Sequence, residues 1–214
     1  MIEDSFLHKG LRRKLVEQVR SKGIADQQIL DAMLKIPRHA FMDSSFLRFA
    51  YQDQAFPISS GQTISQPYTV AFQTELIDIQ MHQKVLEVGT GSGYQSAILA
   101  ELGARVYTIE RIRKLYQDAQ LILRELGYQV KFFLGDGYQG LPSYAPFDRI
   151  LITAAAPSVP EALLQQLVVG GILVAPIGPR DNQVMTKCVR TNQDTFETSA
   201  HGNFSFVPMK SGLE

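Results

Sequence analysis

Cysteine occurs once, at Cys188, so no intrachain disulfide can form and a reducing compartment fits the chain. Neither charge is in excess: Lys+Arg and Asp+Glu stand at 21 each in 214 residues. A neutral chain lacks the surplus of cations that tight, non-specific nucleic-acid binding requires, so no nucleic-acid partner is expected. Long apolar runs are missing too. The longest lies over 167–177, contains Gly170 and Gly171, and is far too short to span a bilayer. The stretch from Met1 to Gly10 has no apolar core followed by a small-residue cleavage site, so no signal peptide is expected. His8, His82 and His201 stand in no metal-ligand spacing and Cys188 has no partner cysteine, which argues against a zinc site. Together these absences lead to an expected cytoplasmic protein with no membrane partner. No exposed apolar stripe stands out, so a monomer is the default.

What is present reads as an ordinary globular chain, 45% hydrophobic and 20% charged, long enough for one domain with a real core. Phe6, Leu7, Leu11, Leu15, Val16 and Val19 recur at helical spacing, with Gly23 as a stop. Asp26 is placed to cap a second helix carrying Ile29, Leu30, Met33 and Leu34, which Pro37 ends. Residues 50–67 read as a long loop, and its Tyr51, Phe56, Ile58 and Ile64 argue against disorder. Strands are then expected over 84–88, 105–109, 130–134, 149–153 and 172–175, with helices over 95–102, 112–126 and 161–167. Near-continuous apolar strands alternating with helices indicate a doubly wound α/β fold, a mostly parallel sheet covered on both faces. Segments 184–189, 196–199 and 204–207 would add antiparallel strands at one edge.

The most informative segment runs from Val85 to Gln95: a buried strand, a turn holding Gly89, Gly91 and Gly93, then a helix start. Glycines let a backbone approach a ligand, and the open N–H groups of the helix start face it. Glu110 ends the second strand at the same sheet edge, where a carboxylate can accept from ribose hydroxyls, and Gly135-Asp136-Gly137 follows the third strand. The dinucleotide fingerprint G-x-G-x-x-G fits poorly, because the third glycine comes one place early and Tyr94 takes its position. No Gly-Lys-Ser/Thr follows, so a kinase-type P-loop fails. The turn, with Thr90 and Ser92 between its glycines and Glu87 two residues upstream, resembles the S-adenosylmethionine motif of class I methyltransferases, a Rossmann-like fold. The Asx-Pro-Pro-aromatic turn that grips a base amino group is absent; Thr153-Ala154-Ala155-Ala156-Pro157 stands there instead. An acceptor that arrives ionised, such as a carboxylate with a pKa of about 4, needs less help.

Four segments together resemble protein-L-isoaspartate O-methyltransferases: Ile36-Pro37-Arg38-His39-Ala40-Phe41, Gly61-Gln62-Thr63-Ile64-Ser65-Gln66-Pro67-Tyr68, Val85 to Gln95, and Ala145-Pro146-Phe147-Asp148 continuing to Pro157. Gly170-Gly171 and Phe206-Val207-Pro208 add to the match, which runs from about Leu11 to Met209. The resemblance implies methylation of the free carboxylate of isoaspartyl residues in damaged proteins, with S-adenosylmethionine as donor and S-adenosylhomocysteine as product. It implies that Ser65 lies beside donor and acceptor, that Glu110 binds the ribose, and that Asp136 and Gly137 lie near the adenine. Ile58, Thr63, Ile64, Phe206, Val207 and Pro208 would form the substrate groove. The chain then reads as a single domain: a helical part (1–49), an active-site loop (50–67), a cofactor-binding core (68–178) and a C-terminal edge and groove segment (179–214). Relatives often carry a basic residue before Phe-Val-Pro; this chain has Ser205.

Local readings compete with these roles. Ser65 precedes Gln66-Pro67 and a helical pattern through Val70, Phe72 and Leu76, which is an N-cap position, and on the residues alone the cap is the stronger reading. Arg38 and His39 read as a surface turn after Pro37, and Arg111, Arg113 and Lys114 as a solvated helix face. Two other functions stay open: a small-molecule carboxyl methyltransferase, and a non-catalytic S-adenosylmethionine-binding adaptor.

Overall fold

The computed structural model describes residues 4–179 and 182–214; the first residues of the Met1–Gly10 stretch, and Arg180 and Asp181 in the C-terminal part, lie outside them. Two helices open the chain, α1 (Phe6–Ser21) and α2 (Gln27–Lys35). Ser5 caps α1 reciprocally with His8, and Asp26 caps α2 by accepting from the N–H groups of Gln28 and Ile29. The 50–67 segment is more ordered than a loop. Its strands β1 (Phe56–Pro57) and β2 (Thr63–Ile64) pair antiparallel around a turn with Ser60 at φ 58°. Helix α3 (Pro67–Ile77) follows directly.

The α/β part runs β3 (Lys84–Val88), α4 (Tyr94–Glu101), β4 (Arg105–Glu110), α5 (Arg113–Glu125), β5 (Lys131–Leu134), β6 (Phe147–Ile152), α6 (Glu161–Leu164), β7 (Leu167–Ile177), β8 (Gln183–Arg190) and β9 (Phe196–Phe204). Seven strands form one sheet in the order β5-β4-β3-β6-β7-β8-β9. Pairings are parallel from β5 through β7 and antiparallel from β7 to β9, the doubly wound, mostly parallel architecture expected. Alternate strand residues feed two cores. Leu86, Ile150, Ile152 and Leu173 face one side; Val85, Leu151 and Val174 face the other, with Ile77 of α3 and Leu99 of α4. A third cluster packs Leu15, Val19, Ile29 and Met33 of the N-terminal helices on Val70, Ile98 and Leu123.

Two expected elements differ. The helix expected over 161–167 stops at Leu164, because Leu167 already pairs with Phe147 as the start of β7. Gln166, between them, turns inward: its Nε2 donates to the Gln139 carbonyl and its Oε1 accepts from the Leu141 N–H. The strand expected over 204–207 does not form either. β9 is one continuous strand ending at Phe204 opposite Gln183, and the chain then leaves the edge. The Val207 carbonyl accepts from the Ala155 N–H and the Met209 N–H donates to the Ala155 carbonyl, so residues 207–209 lie beside the end of β6.

Candidate active site

Strand order reverses at β3. The chain runs outward through β4 and β5, then returns to place β6 on the other flank of β3. Loops leaving β3 and β6 therefore diverge and open a crevice at the carboxyl ends of these strands, where open α/β sheets bind ligands. A cleft of about 870 Å³, the open solvent at its mouth included, lies there.

The glycine turn forms one wall. At Gly89 (φ +100°) an added Cβ would sit 2.5 Å from Thr153 Oγ1, and at Gly93 (φ +88°) it would sit 3.1 Å from Leu123 Cδ1. Glycine is needed at both, for close packing and for backbone conformation. Thr153 closes the gap between β3 and β6 by donating to the Val88 and Gly89 carbonyls. Glu110 is buried at the end of β4, one oxygen accepting from the Gly91 N–H and the other from the Ile112 N–H, both at 2.9 Å. Ser92 accepts from the Tyr94 N–H at the start of α4.

Of the sequence-predicted cofactor residues, Gly89, Thr90, Gly91, Ser92, Glu110 and Gly137 line the cleft. Gly93 packs behind it. Glu87 is fully buried beneath the turn, where its carboxylate accepts from Ser96 and Thr108, and Thr108 meets Thr90 hydroxyl to hydroxyl at 2.6 Å. Its placement is that of a turn support, not of a ligand contact. Burial, with Glu110 nearby as a smaller contribution, pushes the Glu87 carboxyl up to about 7. Asp136 spends one oxygen on its own turn, at the Tyr138 N–H, and the other on the Gly212 N–H of the C-terminal segment.

The loop side brings Thr63, Ile64 and Ser65 into the same cleft, with Val207 and Pro208. Ile58 packs near Gly91, and Phe206 lines an adjoining groove. That groove shares Thr63, Ser65, Thr153 and Val207 with the cleft and runs on past Tyr68 and Phe72 to Phe204.

The cap assignment of Ser65 is corrected. Gln66 holds the N-cap position of α3 with no side-chain bond, and the Tyr68 N–H instead donates to Asp53 Oδ1 at 2.8 Å. Asp53 also takes Lys22 Nζ and Gln66 Nε2 on its other oxygen. The Ser65 hydroxyl is left without a hydrogen-bond partner among the described residues, at the junction of cleft and groove. The surface-turn reading of Arg38 and His39 is also corrected: both are buried, His39 Nδ1 against the Tyr51 hydroxyl at 2.6 Å and Arg38 over the Tyr94 ring. Asp4, His8 and His39 do come together, outside the cleft, but Arg12 holds the Asp4 carboxylate through two hydrogen bonds.

Sequence reasoning missed several lining residues: Gln95, Arg111, Thr153, Met209 and Lys210. Gln95 is the most telling, because its Oε1 is buried with no hydrogen-bond partner while Nε2 donates to Thr74. Its place in the first turn after the glycines was the available signal. Arg111 is no solvated helix residue; it donates to the Gly212 carbonyl and pairs with Glu214 at 2.7 Å, drawing the C-terminal segment to the rim of the cleft. Arg113 and Lys114 are exposed as expected. No histidine lines the cleft among the described residues.

The chain matches the family model for protein-L-isoaspartate(D-aspartate) O-methyltransferase over residues 10–214. A protein-L-isoaspartate O-methyltransferase of Christiangramia forsetii is 55% identical over 209 residues, 97% of this chain and 98% of that one. A solved structure titled protein-L-isoaspartate O-methyltransferase is 29% identical with a TM-score of 0.83, covering 94% of this chain and 67% of that chain. A Plasmodium falciparum structure, titled a putative enzyme of that kind in complex with S-adenosyl-L-homocysteine, shares the fold, with a TM-score of 0.81 and 23% identity over 93% of this chain and 98% of that one.

Proposed function

The chain belongs to the protein-L-isoaspartate(D-aspartate) O-methyltransferase family, and on that premise we propose how its residues divide the work. The reaction methylates the free α-carboxylate of L-isoaspartyl residues in damaged proteins, giving an ester that converts to succinimide and so restarts the damaged backbone. S-adenosylmethionine is the donor.

The residues present fit that donor. Gly89, Gly91 and Gly137 present bare backbone to the cleft, Glu110 keeps unused lone pairs there, and Gln95 Oε1 is an acceptor awaiting a partner. Glu110 would hold the ribose hydroxyls, the turn from Gly89 to Ser92 the amino-acid end, and Gly137 the adenine side, with Asp136 fixing that turn from behind. When bound, the donor supplies a methyl group on a positively charged sulfur.

Ser65 is the acceptor-holding residue. Its hydroxyl is free to donate to the substrate carboxylate because Asp53, not Ser65, serves the start of α3. This observation carries the reading. The acceptor is ionised at neutral pH, so no proton has to be removed and no general base is needed; a cleft without histidine suits that chemistry. Orientation is the main resource, and well-placed reactants gain about 7–11 kcal/mol over free encounter. Carboxylate and sulfonium charges cancel as the bond forms, so shielding from water favours the transition state over separated ions.

The continuous groove past Tyr68, Phe72, Phe204 and Phe206 favours a polypeptide acceptor over a closed small-molecule site. Ile58, Thr63, Ile64, Val207 and Pro208 would flank the isoaspartyl residue. The chain works as one domain, with the loop (50–67), core (68–178) and edge segment (179–214) supplying the cleft wall and the helical part (1–49) packing behind them. A cytoplasmic location accords with a single, buried, free Cys188, and a monomer is the default for the assembly. No helix among the described residues is long and apolar enough to cross a membrane.

Initial rates on an isoaspartyl peptide and on its aspartyl twin test the reading. The wild type should methylate only the first. Ser65→Ala should lose most of that rate while keeping its denaturation midpoint and its affinity for S-adenosylhomocysteine. A Ser65→Ala protein as active as wild type would remove Ser65 from the chemistry.

A further inference from the structure

Among the described residues four arginines are buried: Arg12, Arg38, Arg149 and Arg190. Arg12 pairs with Asp4, and Arg149 and Arg190 place their donors on backbone carbonyls. Arg38 differs. It is 1% exposed, and its Nε and Nη1 have no hydrogen-bond partner among the described residues. Burial pulls its guanidinium down to about 10, still charged at neutral pH. Asp53 exerts a favourable field on it but is committed to Lys22, Gln66 and the start of α3. An incompletely paired buried cation is costly to a fold, so its retention asks for a reason.

Its contacts supply one. Arg38 Nη2 donates to the Ser65 carbonyl at 2.9 Å and, more weakly, to the Gln54 carbonyl at 3.4 Å. The guanidinium carbon lies 4.9 Å from the centre of the Tyr94 ring. Ser65 and Tyr94 both line the cleft, one from the acceptor loop and the other from the helix after the glycine turn. Ser65 sits between β2 and α3, and the Arg38 guanidinium is the side chain that holds its backbone.

We propose that Arg38 is a positioning residue for methyl transfer: it ties the Ser65 backbone to the Tyr94 ring and so sets the separation between acceptor and donor. The proposal rests on the acceptor role of Ser65 argued above. Arg38 lines neither cleft nor groove, so it acts through Ser65 and not on the substrate. A planar guanidinium does this by donating in its plane while stacking its face; an ammonium keeps the charge but loses that geometry.

The test compares R38K, R38M, S65A and the double variant R38K/S65A. Each is shown to be folded by denaturant unfolding and by calorimetric binding of S-adenosylhomocysteine. A misplacement of about 1 Å costs roughly a hundredfold in rate, so kcat on an isoaspartyl peptide should fall about a hundredfold in R38M and about tenfold in R38K. Peptide KM and S-adenosylhomocysteine affinity should stay within about threefold, the latitude of a residue that touches neither ligand. R38K/S65A should be no slower than S65A, because Arg38 has nothing left to position. Unchanged kcat per folded molecule, a parallel loss of cofactor affinity, or rate losses that multiply in the double variant would each overturn the proposal. Full activity in S65A would instead remove the acceptor reading, whatever the Arg38 variants do. Should R38M fail to fold, R38K and the double variant still decide.

Discussion

Replacing Glu110 with glutamine keeps its shape and removes its charge. In the native protein both carboxylate oxygens accept from backbone N–H groups, Gly91 and Ile112, at 2.9 Å. A carboxylate has about four acceptor sites, so each oxygen keeps roughly one for a ribose hydroxyl. An amide nitrogen cannot accept. Whichever way the new side chain turns, one N–H loses its partner inside a residue that is 6% exposed. An orphaned buried donor costs about 1–3 kcal/mol, and that penalty falls on the free protein as lost stability. Binding loses one acceptor outright and the charge assistance on the other. Charge-assisted hydrogen bonds contribute about 1.5–3 kcal/mol, so affinity for S-adenosylhomocysteine should drop roughly ten- to a hundredfold. Calorimetry on Glu110→Gln, with its unfolding midpoint measured beside it, separates the two losses. A destabilised variant with native affinity would show that Glu110 only anchors the glycine turn and never meets the ribose.

Three further outcomes follow from buried contacts. Glu87 has a carboxyl pKa raised from 4.5 to about 7, so its contribution to stability is present below the unfolded value and lost as pH rises through the folded one, about 3 kcal/mol in all; Glu87→Gln should flatten the fall in unfolding free energy between pH 5 and pH 8, and an unaltered slope would count against the burial argument. Gly89→Ala forces a Cβ to 2.5 Å from Thr153 Oγ1 at a φ of +100°, so a loss of about 1–3 kcal/mol and weaker cofactor binding are expected, and a variant with native midpoint and affinity contradicts the crowding. Asp53→Asn should cost about 1 kcal/mol by weakening the start of α3 and the tie to Lys22, whereas Ser65→Ala should shift the midpoint by less than about 0.5 kcal/mol; the reverse order would restore Ser65 as the cap.

Most of the sheet was legible from the chain because β3, β4 and β6 are buried on both faces and their apolar runs end at recognisable turns. β3 was read to the residue, and α4 and α5 to within one at each end. Reading failed where distant residues outbid local pattern. Leu163, Leu164 and Leu167 keep helical spacing, yet pairing with Phe147 makes Leu167 a strand residue. Phe204 and Phe206 alternate like a strand, yet pairing with β8 ends at Gln183, and Ala155 draws the following residues away. Ser65 has every local mark of an N-cap, and nothing nearby in sequence reveals that Asp53, reaching from the preceding loop, does the work. Charged Arg38 and His39 after a proline look like surface; only the folded packing puts them against Tyr94 and Tyr51. The glycine turn and Ser65 were found by motif, and Gln95 could have been from its place in the same segment, whereas Arg111 and Met209 enter the cleft through tertiary placement.

These failures share a cause that bears on function. A reaction between an anionic acceptor and a cationic donor needs no base; what it needs is fixed geometry. The residues that fix it stand in the cleft wall or one layer behind it. Glu87 receives Ser96 and Thr108 beneath the turn, and Thr108 steadies Thr90. Asp53 frees Ser65 by taking over the start of α3, and Thr153 bridges β3 to β6. Each is a polar group taken from water and held by specific hydrogen bonds, Glu87 through one oxygen alone, and such bonds rigidify when made and are costly when broken. Loss of one such group should therefore appear first as a shift in stability or in the separation of donor and acceptor, and only through that in rate. Removal of Ser65 alone should appear in rate with stability intact. That contrast distinguishes a site whose power lies in placement from one that relies on a reactive side chain.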